Sequence, residues 1–364
     1  MSNEFITSNL ITYIGNKRAL IDFITNGLKF VQEKLGKDKL TILDGFSGSG
    51  CVARLFKNYA TDLYVNDLET YSRIINECYL SNPSNTLIAA INSEIDNLNN
   101  IANNPNIEGF ITKNYAPKND NNIQENERVF YTHENAMIID TLKDEIFKRI
   151  PTNQQCYYLA PLLVQASIHT NTSGVFKGFH KKDGIGHFGG AGENALQRIK
   201  GKIILEKPIF LVNNCNVTVY QKDTNKLVRE LPEIDLAYYD PPYNQHPYGS
   251  NYFMLNIIAN NKETKIQSGV SGISEDWNKS LYNKRKEANK ALDDLLANTK
   301  AKYIMISYNN EGIIPINDFR QILSKYGNVT LLEQDYNTYR GSRNLNSRNI
   351  KVKELLWILE KTNI

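Results

Sequence analysis

Residues 41–69 read TILDGFSGSGCVARLFKNYATDLYVNDLE, with two short apolar runs on either side of a glycine-rich turn. A helix-like segment follows the turn, and the second apolar run ends at Asn66 and Asp67. A strand, a crossover helix and a second strand in this order are typical of a parallel sheet. The stretch therefore predicts a βαβ unit and an α/β fold.

The glycine-rich turn has the spacing of a nucleotide-binding turn. Gly48, Gly50 and Ala53 satisfy the pattern G-x-G-x-x-G/A, and Asp67 lies 17 residues beyond Gly50. Small residues let the backbone wrap a nucleotide-like ligand, and a carboxylate at the next strand end accepts hydrogen bonds from ribose hydroxyls. The turn predicts such a ligand, and a plain tight turn is the alternative interpretation.

Two ligand classes fit this turn, a dinucleotide such as NAD and S-adenosylmethionine. Asp44 precedes the first glycine, and Phe46 lies within the turn. A carboxylate before the turn can pair with a cationic amino-acid group, whereas it would repel a pyrophosphate. These two residues therefore favour S-adenosyl-L-methionine as the cofactor.

A second motif, Asp240-Pro241-Pro242-Tyr243, follows the apolar run EIDLAYY. An exocyclic amine such as adenine N6 is a poor nucleophile, because its lone pair is delocalised into the ring. The Asp240 carboxylate and the Pro241 carbonyl can accept hydrogen bonds from both amine hydrogens, since consecutive prolines fix φ and lack N–H groups. Tyr243 offers a ring face for an extruded base. The motif predicts amine methylation without a metal, and a proline-rich turn is the alternative.

Composition narrows the class of protein. Of 364 residues, 41% are apolar and 22% charged, as in soluble globular proteins, and the net charge of +3 restricts any nucleic-acid surface to a local patch. The four cysteines form no CxxC pair, and the five histidines show no metal-ligand spacing. The chain also lacks an apolar run of about 20 residues or a signal-like start, so a cytoplasmic location is expected.

Other segments predict further helices, strands and loops. Residues 18–35 have helical spacing of apolar side chains, and the runs at 208–214, 216–223 and 301–310 predict strands. The asparagine-rich region 83–135 fits surface loops and short helices.

With YIGNK at residues 13–17, the glycine-rich turn and the DPPY motif resemble the Dam-like D12 class of N6-adenine-specific DNA methyltransferases, the α group found in restriction-modification systems. The resemblance covers roughly residues 10–80 and 165–360. It implies a Rossmann-like S-adenosylmethionine-dependent fold with a mostly parallel twisted sheet, formed by residues 1–80 and 200–364. Residues 81–199 would be an inserted target-recognition region.

The family implies a role for each matching residue. Eight positions are expected to bind the cofactor: Tyr13, Lys17, Asp44, Phe46, Gly48, Gly50, Asp67 and Asp223. Among them, Tyr13 and Lys17 would contact its amino-acid end and Asp223 its adenine. The family also implies base flipping in double-stranded DNA, a monomer, and a cognate restriction endonuclease as a candidate partner.

Two segments are candidates for DNA contacts. Residues 171–190 are similar to the family's stretch beside the DNA, although they depart from its motif after phenylalanine, and they contain Lys177, His180 and Lys181 between aromatic residues. The second segment, 339–353, has no acid and contains several cations, among them Arg340, Arg343 and Arg348. A phenylalanine core in the first segment and a solvated loop in the second are the alternatives.

Other functions fit parts of this pattern. Methylation of cytosine N4 or of adenine in RNA needs the same pair of acceptors. A non-catalytic DNA reader would not need both acceptor positions, and a dinucleotide oxidoreductase would have no use for DPPY. The sequence therefore favours an adenine-specific DNA methyltransferase.

Overall fold

The computed structural model of the protein describes residues 3–261, 263–266, 269–337 and 351–362. Side chains are described for all of these except residues 3, 336, 337, 351 and 352. The helices are α1 (Asn3–Thr7), α2 (Ile21–Leu35), α3 (Cys51–Phe56), α4 (Thr70–Tyr79), α5 (Asn85–Ala102), α6 (Phe110–Tyr115), α7 (His133–Arg149), α8 (Cys156–Ile168), α9 (Leu196–Lys200), α10 (Thr224–Glu230), α11 (Tyr248–Asn251), α12 (Phe253–Ala259), α13 (Ala288–Asn298) and α14 (Ile316–Ser324).

The strands are β1 (Leu40–Asp44), β2 (Ala60–Asn66), β3 (Lys181–Lys182), β4 (Ile185–Gly186), β5 (Asn216–Tyr220), β6 (Ile234–Tyr239), β7 (Ala301–Asn309), β8 (Gly327–Asn337) and β9 (Lys351–Lys361). Short 3₁₀ turns occur at Lys17–Leu20, Thr152–Gln154, Gly190–Gly192 and Leu281–Asn283.

The chain forms two compact units, each assembled from three segments. The helical unit comprises Met1–Gly15, Glu69–Val212 and Tyr248–Asn278. The sheet unit comprises Asn16–Leu68, Asn213–Pro247 and Lys279–Ile364. These boundaries differ from the predicted ones, because residues 1–15, 69–80, 200–212 and 248–278 belong to the helical unit. The assignment of the inserted region to target recognition stays a prediction.

The sheet unit is built on seven strands in the order β5-β2-β1-β6-β7-β9-β8. The first five of these run parallel, while β9 is antiparallel to both β7 and β8. The predicted βαβ unit is present as β1, α3 and β2. The mostly parallel sheet and the α/β class are therefore confirmed.

Both faces of the central strands are covered, and this explains their continuous apolar runs. Every residue of β6 is buried, and Ala237 packs in one cluster with Leu292 and Leu295 of α13. On β9, Leu356 reaches α2 at Gly27, where an added Cβ would lie 2.5 Å from the Leu356 Cδ2 atom. Glycine at this position lets the predicted helix α2 approach the sheet closely.

The helical unit buries one apolar cluster between its longer helices. Ile74 of α4, Ile91 of α5, Ile139 of α7, Leu162 of α8 and Met254 of α12 all belong to this cluster. Helix α8 has no polar stripe along most of its length, because nearly all of its residues are buried. Within the part of the chain that the structure describes, no helix is both long and apolar enough to cross a membrane.

Two predictions differ from the structure. The asparagine-rich region consists of helices and loops, as predicted, but its helix α5 has 18 residues and is not short, since its apolar residues Ile91 and Ile95 recur at helical spacing on the buried face. Residues 208–214 form no strand. None of the described strands pairs with these residues, and just before them the backbone of Leu205 exchanges hydrogen bonds of 2.8 and 2.9 Å with the Asn99 side chain.

Candidate active site

The two sequence motifs lie at the same edge of the sheet. β1 and β6 are parallel neighbours, and Asp44 at the end of β1 lies opposite Tyr238 of β6. The Gly45 N–H group donates a hydrogen bond of 2.9 Å to the Tyr238 carbonyl, which joins the glycine-rich turn to the strand before Asp240. β2 and β5 lie on one side of β1, whereas β6 and β7 lie on the other. Ligands of such folds usually bind at this change of direction in the strand order.

The glycine-rich turn is held by its own backbone and by Asp67. The Gly50 N–H donates to the Ser47 carbonyl at 2.8 Å, and both Gly48 and Gly50 have left-handed φ values, of 52° and 73°. Residues other than glycine are strained in this backbone conformation. The Gly48 N–H donates to Oδ2 of Asp67 at 2.8 Å. Asp67 therefore fixes the turn, and its contact with a ribose stays a prediction.

Asn66 is a site residue that the sequence analysis missed. Its buried amide donates to the Lys222 carbonyl at 3.0 Å and to Oγ1 of Thr224 at 3.1 Å, and its oxygen accepts from the Lys222 N–H at 3.0 Å. These bonds tie the end of β2 to the loop before α10. An asparagine at the end of an apolar run is the sequence feature that could have indicated this role.

Asp44 is a buried carboxylate that lacks a hydrogen bond of normal geometry from the described residues. It is 1% exposed, and no described residue makes a hydrogen bond of normal geometry to either oxygen. Burial raises the pKa of Asp44 well above its ordinary value, and the charges of Asp240 and Asp67 raise it further. The backbone amides of Phe46 and Ala53 only partly oppose this. The site is therefore suited to a ligand that brings a positive charge or N–H donors.

Lys17 and Asp240 form a buried ion pair. Lys17 Nζ lies 3.0 Å from Oδ1 of Asp240, and the side chains are 5% and 19% exposed. Burial lowers the pKa of Lys17, but the charges of Asp240 and Glu354 outweigh this, so the net shift is upward. Burial raises the pKa of Asp240, and Lys17 opposes that rise. A carboxylate has a second oxygen and several lone pairs, so the ion pair at Oδ1 leaves Asp240 able to accept a further hydrogen bond.

The remaining residues of the DPPY motif are held in place by neighbouring side chains and backbone. Pro241 is buried and Pro242 half-buried. The Tyr243 ring lies 5.8 Å from Lys17 Nζ and meets the Tyr308 ring edge to face at 6.3 Å. The Tyr243 carbonyl also accepts a hydrogen bond from the N–H of residue 313 at 2.9 Å. The stacking of a base on Tyr243 stays a prediction.

Two further predicted cofactor residues have structural roles in the sheet unit. The Phe46 ring packs edge to face against Tyr282 at 5.4 Å and Tyr239 at 6.0 Å. Oδ1 of Asp223 accepts a hydrogen bond from the Lys226 N–H at 3.1 Å and so caps α10. An N-cap carboxylate stabilises a helix by about 1 kcal/mol. The predicted contact of Asp223 with the cofactor's adenine stays untested beside this role.

Tyr13 belongs to the helical unit, where it is part of a cluster of tyrosine rings. Its ring centroid lies 5.0 Å from that of Tyr248 and 4.9 Å from that of Tyr252, in both cases stacked. The Tyr252 hydroxyl accepts from the Ile14 N–H at 2.8 Å, and the Tyr248 hydroxyl donates to the Ile14 carbonyl at 3.0 Å. This cluster fixes the start of the YIGNK motif. The predicted cofactor contact of Tyr13 stays a prediction.

The predicted DNA-binding residues of the helical unit surround a small hairpin formed by β3 and β4. Lys177 and Lys181 are exposed, His180 is half-buried, and the Lys181 Nζ lies 5.1 Å from the Phe179 ring centroid. Burial lowers the pKa of Lys177 and of His180. Phe176 is 1% exposed, so the core interpretation is confirmed for this ring and no base can stack on it.

The hairpin is anchored by a buried asparagine. The Asn171 amide donates to the Val129 carbonyl at 2.8 Å, and its oxygen accepts from the Gly189 N–H at 2.9 Å. The Asn171 carbonyl accepts from the His180 N–H at 3.1 Å. The other predicted DNA-binding residues, Arg340, Arg343 and Arg348, lie outside the described residues.

Comparison with known proteins identifies relatives over nearly the whole chain. The family model of the D12 class N6 adenine-specific DNA methyltransferases matches residues 13–322. The type II methyltransferase M.NlaIII of Neisseria lactamica is 30% identical over 360 residues, which cover 97% of this chain and 100% of that protein. M.CviAII of Paramecium bursaria Chlorella virus 1, also a type II methyltransferase, is 29% identical and covers 91% and 93%.

The modification methylase StsI of Streptococcus sanguinis is 29% identical over 364 residues, 96% of this chain and 52% of that longer protein. The family match includes the YIGNK motif, the glycine-rich turn and the DPPY motif, and the last two of these follow the neighbouring strands β1 and β6. The chain therefore belongs to the family of D12 class N6 adenine-specific DNA methyltransferases.

Proposed function

We propose that this protein transfers the methyl group of S-adenosyl-L-methionine to adenine N6 in double-stranded DNA, as the modification enzyme of a restriction-modification system. Two of its relatives are named type II methyltransferases and a third is named a modification methylase, which supports the biological setting. The observation that carries the chemistry is the adjacency of Asp44 and Asp240 at the ends of β1 and β6.

The chain's own residues fit the proposed cofactor. The buried carboxylate of Asp44, which no described residue meets with a hydrogen bond of normal geometry, suits the α-ammonium group of a bound amino-acid moiety, and a positive charge there would lower its raised pKa. Gly48 and Gly50 let the backbone approach the ligand closely, and Asp67 lies at the strand end where ribose hydroxyls bind in such folds. The sulfonium of the cofactor supplies an electrophilic methyl group.

The acceptor pair for the target amine is Oδ2 of Asp240 and the carbonyl oxygen of Pro241. Lys17 holds the carboxylate through Oδ1, so Oδ2 is left to accept one amine hydrogen. Two acceptors bring the nitrogen closer to tetrahedral geometry and localise its lone pair towards the methyl donor. The main contribution of the site is orientation, since the transfer is an in-line displacement.

A methyl-transfer assay tests this function directly. Purified protein is incubated with labelled S-adenosylmethionine and unmethylated genomic DNA, and the nucleosides are then analysed. We expect N6-methyladenine from the wild type and at least a hundredfold lower rate from Asp240→Ala, because one of the two acceptors is lost. Asp38→Ala, an exposed position before β1, should keep the wild-type rate. The proposal is falsified if no N6-methyladenine forms on any DNA.

The same assay separates the rival substrates. N4-methylcytosine as the product would identify the other amine, and a higher rate on RNA than on DNA would identify the other polymer. Sequencing of the modified DNA should show one short recognition site. Resistance of that DNA to a nuclease that cuts the same site would support the restriction-modification setting.

A further inference from the structure

Glu354 is a buried acid of the sheet unit that the proposed mechanism does not use. It lies on β9 opposite Asn309 of β7 and is only 7% exposed. Among the described residues, no hydrogen bond or ion pair reaches its carboxylate. An apolar side chain would be more stable at such a position, because burial of an unpaired carboxylate costs several kcal/mol. Its presence is therefore better explained by chemistry than by folding.

The strand register places Glu354 at the edge of the sheet where the active site lies. β9 is antiparallel to β7, so its first residues lie beside the carboxyl end of β7. Asp240 follows the last residue of β6 at this same edge. Glu354 and Leu356 share one face of β9, and Leu356 contacts α2 at Gly27. The 3₁₀ turn that carries Lys17 leads directly into α2.

Lys17 interacts electrostatically with both carboxylates. Asp240 pairs with it at 3.0 Å, whereas Glu354 acts on it over a longer distance. Burial raises the pKa of Glu354, while Lys17 lowers it and Asp240 raises it. With all three groups ionised, one ammonium and two carboxylates have a net charge of −1.

We propose that Glu354 is a positioning residue that acts through Lys17 to keep Asp240 a strong hydrogen-bond acceptor. In the reaction, the N6–methyl bond forms as the sulfur–methyl bond breaks, and the sulfur keeps the electron pair. The positive charge passes to N6, which then loses one proton to Oδ2 of Asp240. A net charge of −1 stabilises the positive charge that develops on N6. Lys17 and Asp240 alone would have a net charge of zero and would not provide this stabilisation. The inference rests on the proposed role of Asp240.

Few other titratable groups face Glu354. Asn309 of β7 and Gln334 of β8 lie near it in the sheet register, and neither titrates. Tyr238 of β6 has a pKa raised well above its ordinary value by burial and by nearby carboxylates, so it stays neutral. Asp44, which is electrostatically coupled to Asp240, is proposed to be paired with the cofactor's ammonium group, so the acidic limb of the kcat–pH profile at saturating S-adenosylmethionine should report Glu354 and Asp240.

The test is Glu354→Gln in the full-length protein, which keeps the size of the side chain and removes its charge. We expect kcat to fall about tenfold or more, with the S-adenosylmethionine Kd within twofold of the wild type. The acidic limb should move to lower pH, because Glu354 no longer titrates and no longer opposes the ionisation of Asp240. Glu354→Asp keeps the charge and should keep the wild-type midpoint. Glu360→Gln, an exposed change on the same strand, is the matched control.

A double-mutant cycle with Lys17→Met tests whether Glu354 acts through the lysine. We expect Glu354→Gln to lower kcat less than twofold in the Lys17→Met background. A fully additive effect, or an unchanged kcat and pH profile in Glu354→Gln, would overturn the inference. If the glutamine variant does not fold, a shifted midpoint in Glu354→Asp overturns it instead. An active Asp240→Ala enzyme would refute the proposed function itself, whereas an inactive one beside an unaffected Glu354→Gln refutes only this inference.

Discussion

At the scale of single residues, Asp44 shows how a binding group can weaken the fold that contains it. No hydrogen bond of normal geometry from the described residues reaches its carboxylate, and burial, followed by the charges of two further acids, raises its pKa. A native-state pKa above the unfolded value means that the fold favours the protonated form. Around neutral pH, the folded protein must therefore either bury the charged form of Asp44 or keep a proton that the unfolded chain would release, and both cost free energy. A bound cation would remove this cost.

We expect Asp44→Asn to raise the melting temperature of the cofactor-free protein at pH 7 by about 2–4 °C, since roughly 1 kcal/mol of that cost is removed. The gain should shrink as the pH falls towards about 3.9, the ordinary carboxyl pKa, because Asp44 is then protonated in both states. Thermal melts across this pH range provide the measurement.

The same variant should bind S-adenosylmethionine about tenfold to a hundredfold more weakly by calorimetry, since a charge-assisted hydrogen bond is lost. Asp38→Asn changes an exposed acid and should alter neither property. A less stable Asp44→Asn protein with unchanged cofactor affinity would contradict this interpretation of Asp44.

At the scale of elements, the site depends on loops that are bonded to strand ends. Asn66 joins the end of β2 to the loop before α10, and Asp67 holds the glycine-rich turn after β1. Both residues act on backbone groups, so each orders a loop through a single side chain. The ends of the parallel strands hold these two side chains in fixed positions.

Asn66→Ala should therefore loosen the loop before α10. It leaves the Lys222 N–H and carbonyl without their bonds to this side chain, which should lower the free energy of unfolding by about 1–3 kcal/mol. Hydrogen exchange should increase at residues 221–224. Asn216→Ala is the control. Asn216 is the first residue of β5, the neighbour of β2, and this change removes only an exposed hydrogen bond to Asp62 of β2. Equal effects of the two changes would show that Asn66 has no special part in ordering this loop.

The sequence predicted the elements whose pattern is local. The apolar runs around the glycine-rich turn gave β1, α3 and β2, because each element shows its own periodicity within a few residues. Glu354 and Asn66 were missed, since their roles depend on residues far away in the chain. The strand expected at 208–214 failed for the same reason, because strand formation needs a partner that local sequence does not specify.

At the scale of the whole molecule, the net charge of +3 is too small to direct DNA binding by itself. Affinity for the phosphate backbone must then come from local cations. Lys177 and Lys181, beside the hairpin of the helical unit, are exposed and belong to the segment predicted to contact DNA. The residues proposed to bind the cofactor belong mainly to the other unit, so the two functions should respond separately to mutation.

Replacement of Lys177 and Lys181 by Ala should weaken binding to all DNA sequences. Each lost phosphate contact should reduce the slope of log K against log salt by about 1, because fewer counterions are released. Cofactor affinity should not change. Lys148→Ala, which removes a surface cation paired with Asp144, should leave the slope as it is. If the double variant keeps the wild-type salt dependence, these lysines do not contact DNA.

The order of the strands also constrains the synthesis of the protein. β1 ends at Asp44, but its neighbour β6 begins only at Ile234. At about 5–20 residues per second, the ribosome needs on the order of ten seconds or more to deliver that partner. During this interval one side of β1 has no strand to pair with, and the nascent chain exposes an edge that other chains could join. A pause or a premature stop between these two strands should therefore lead to aggregation rather than to a partly active enzyme.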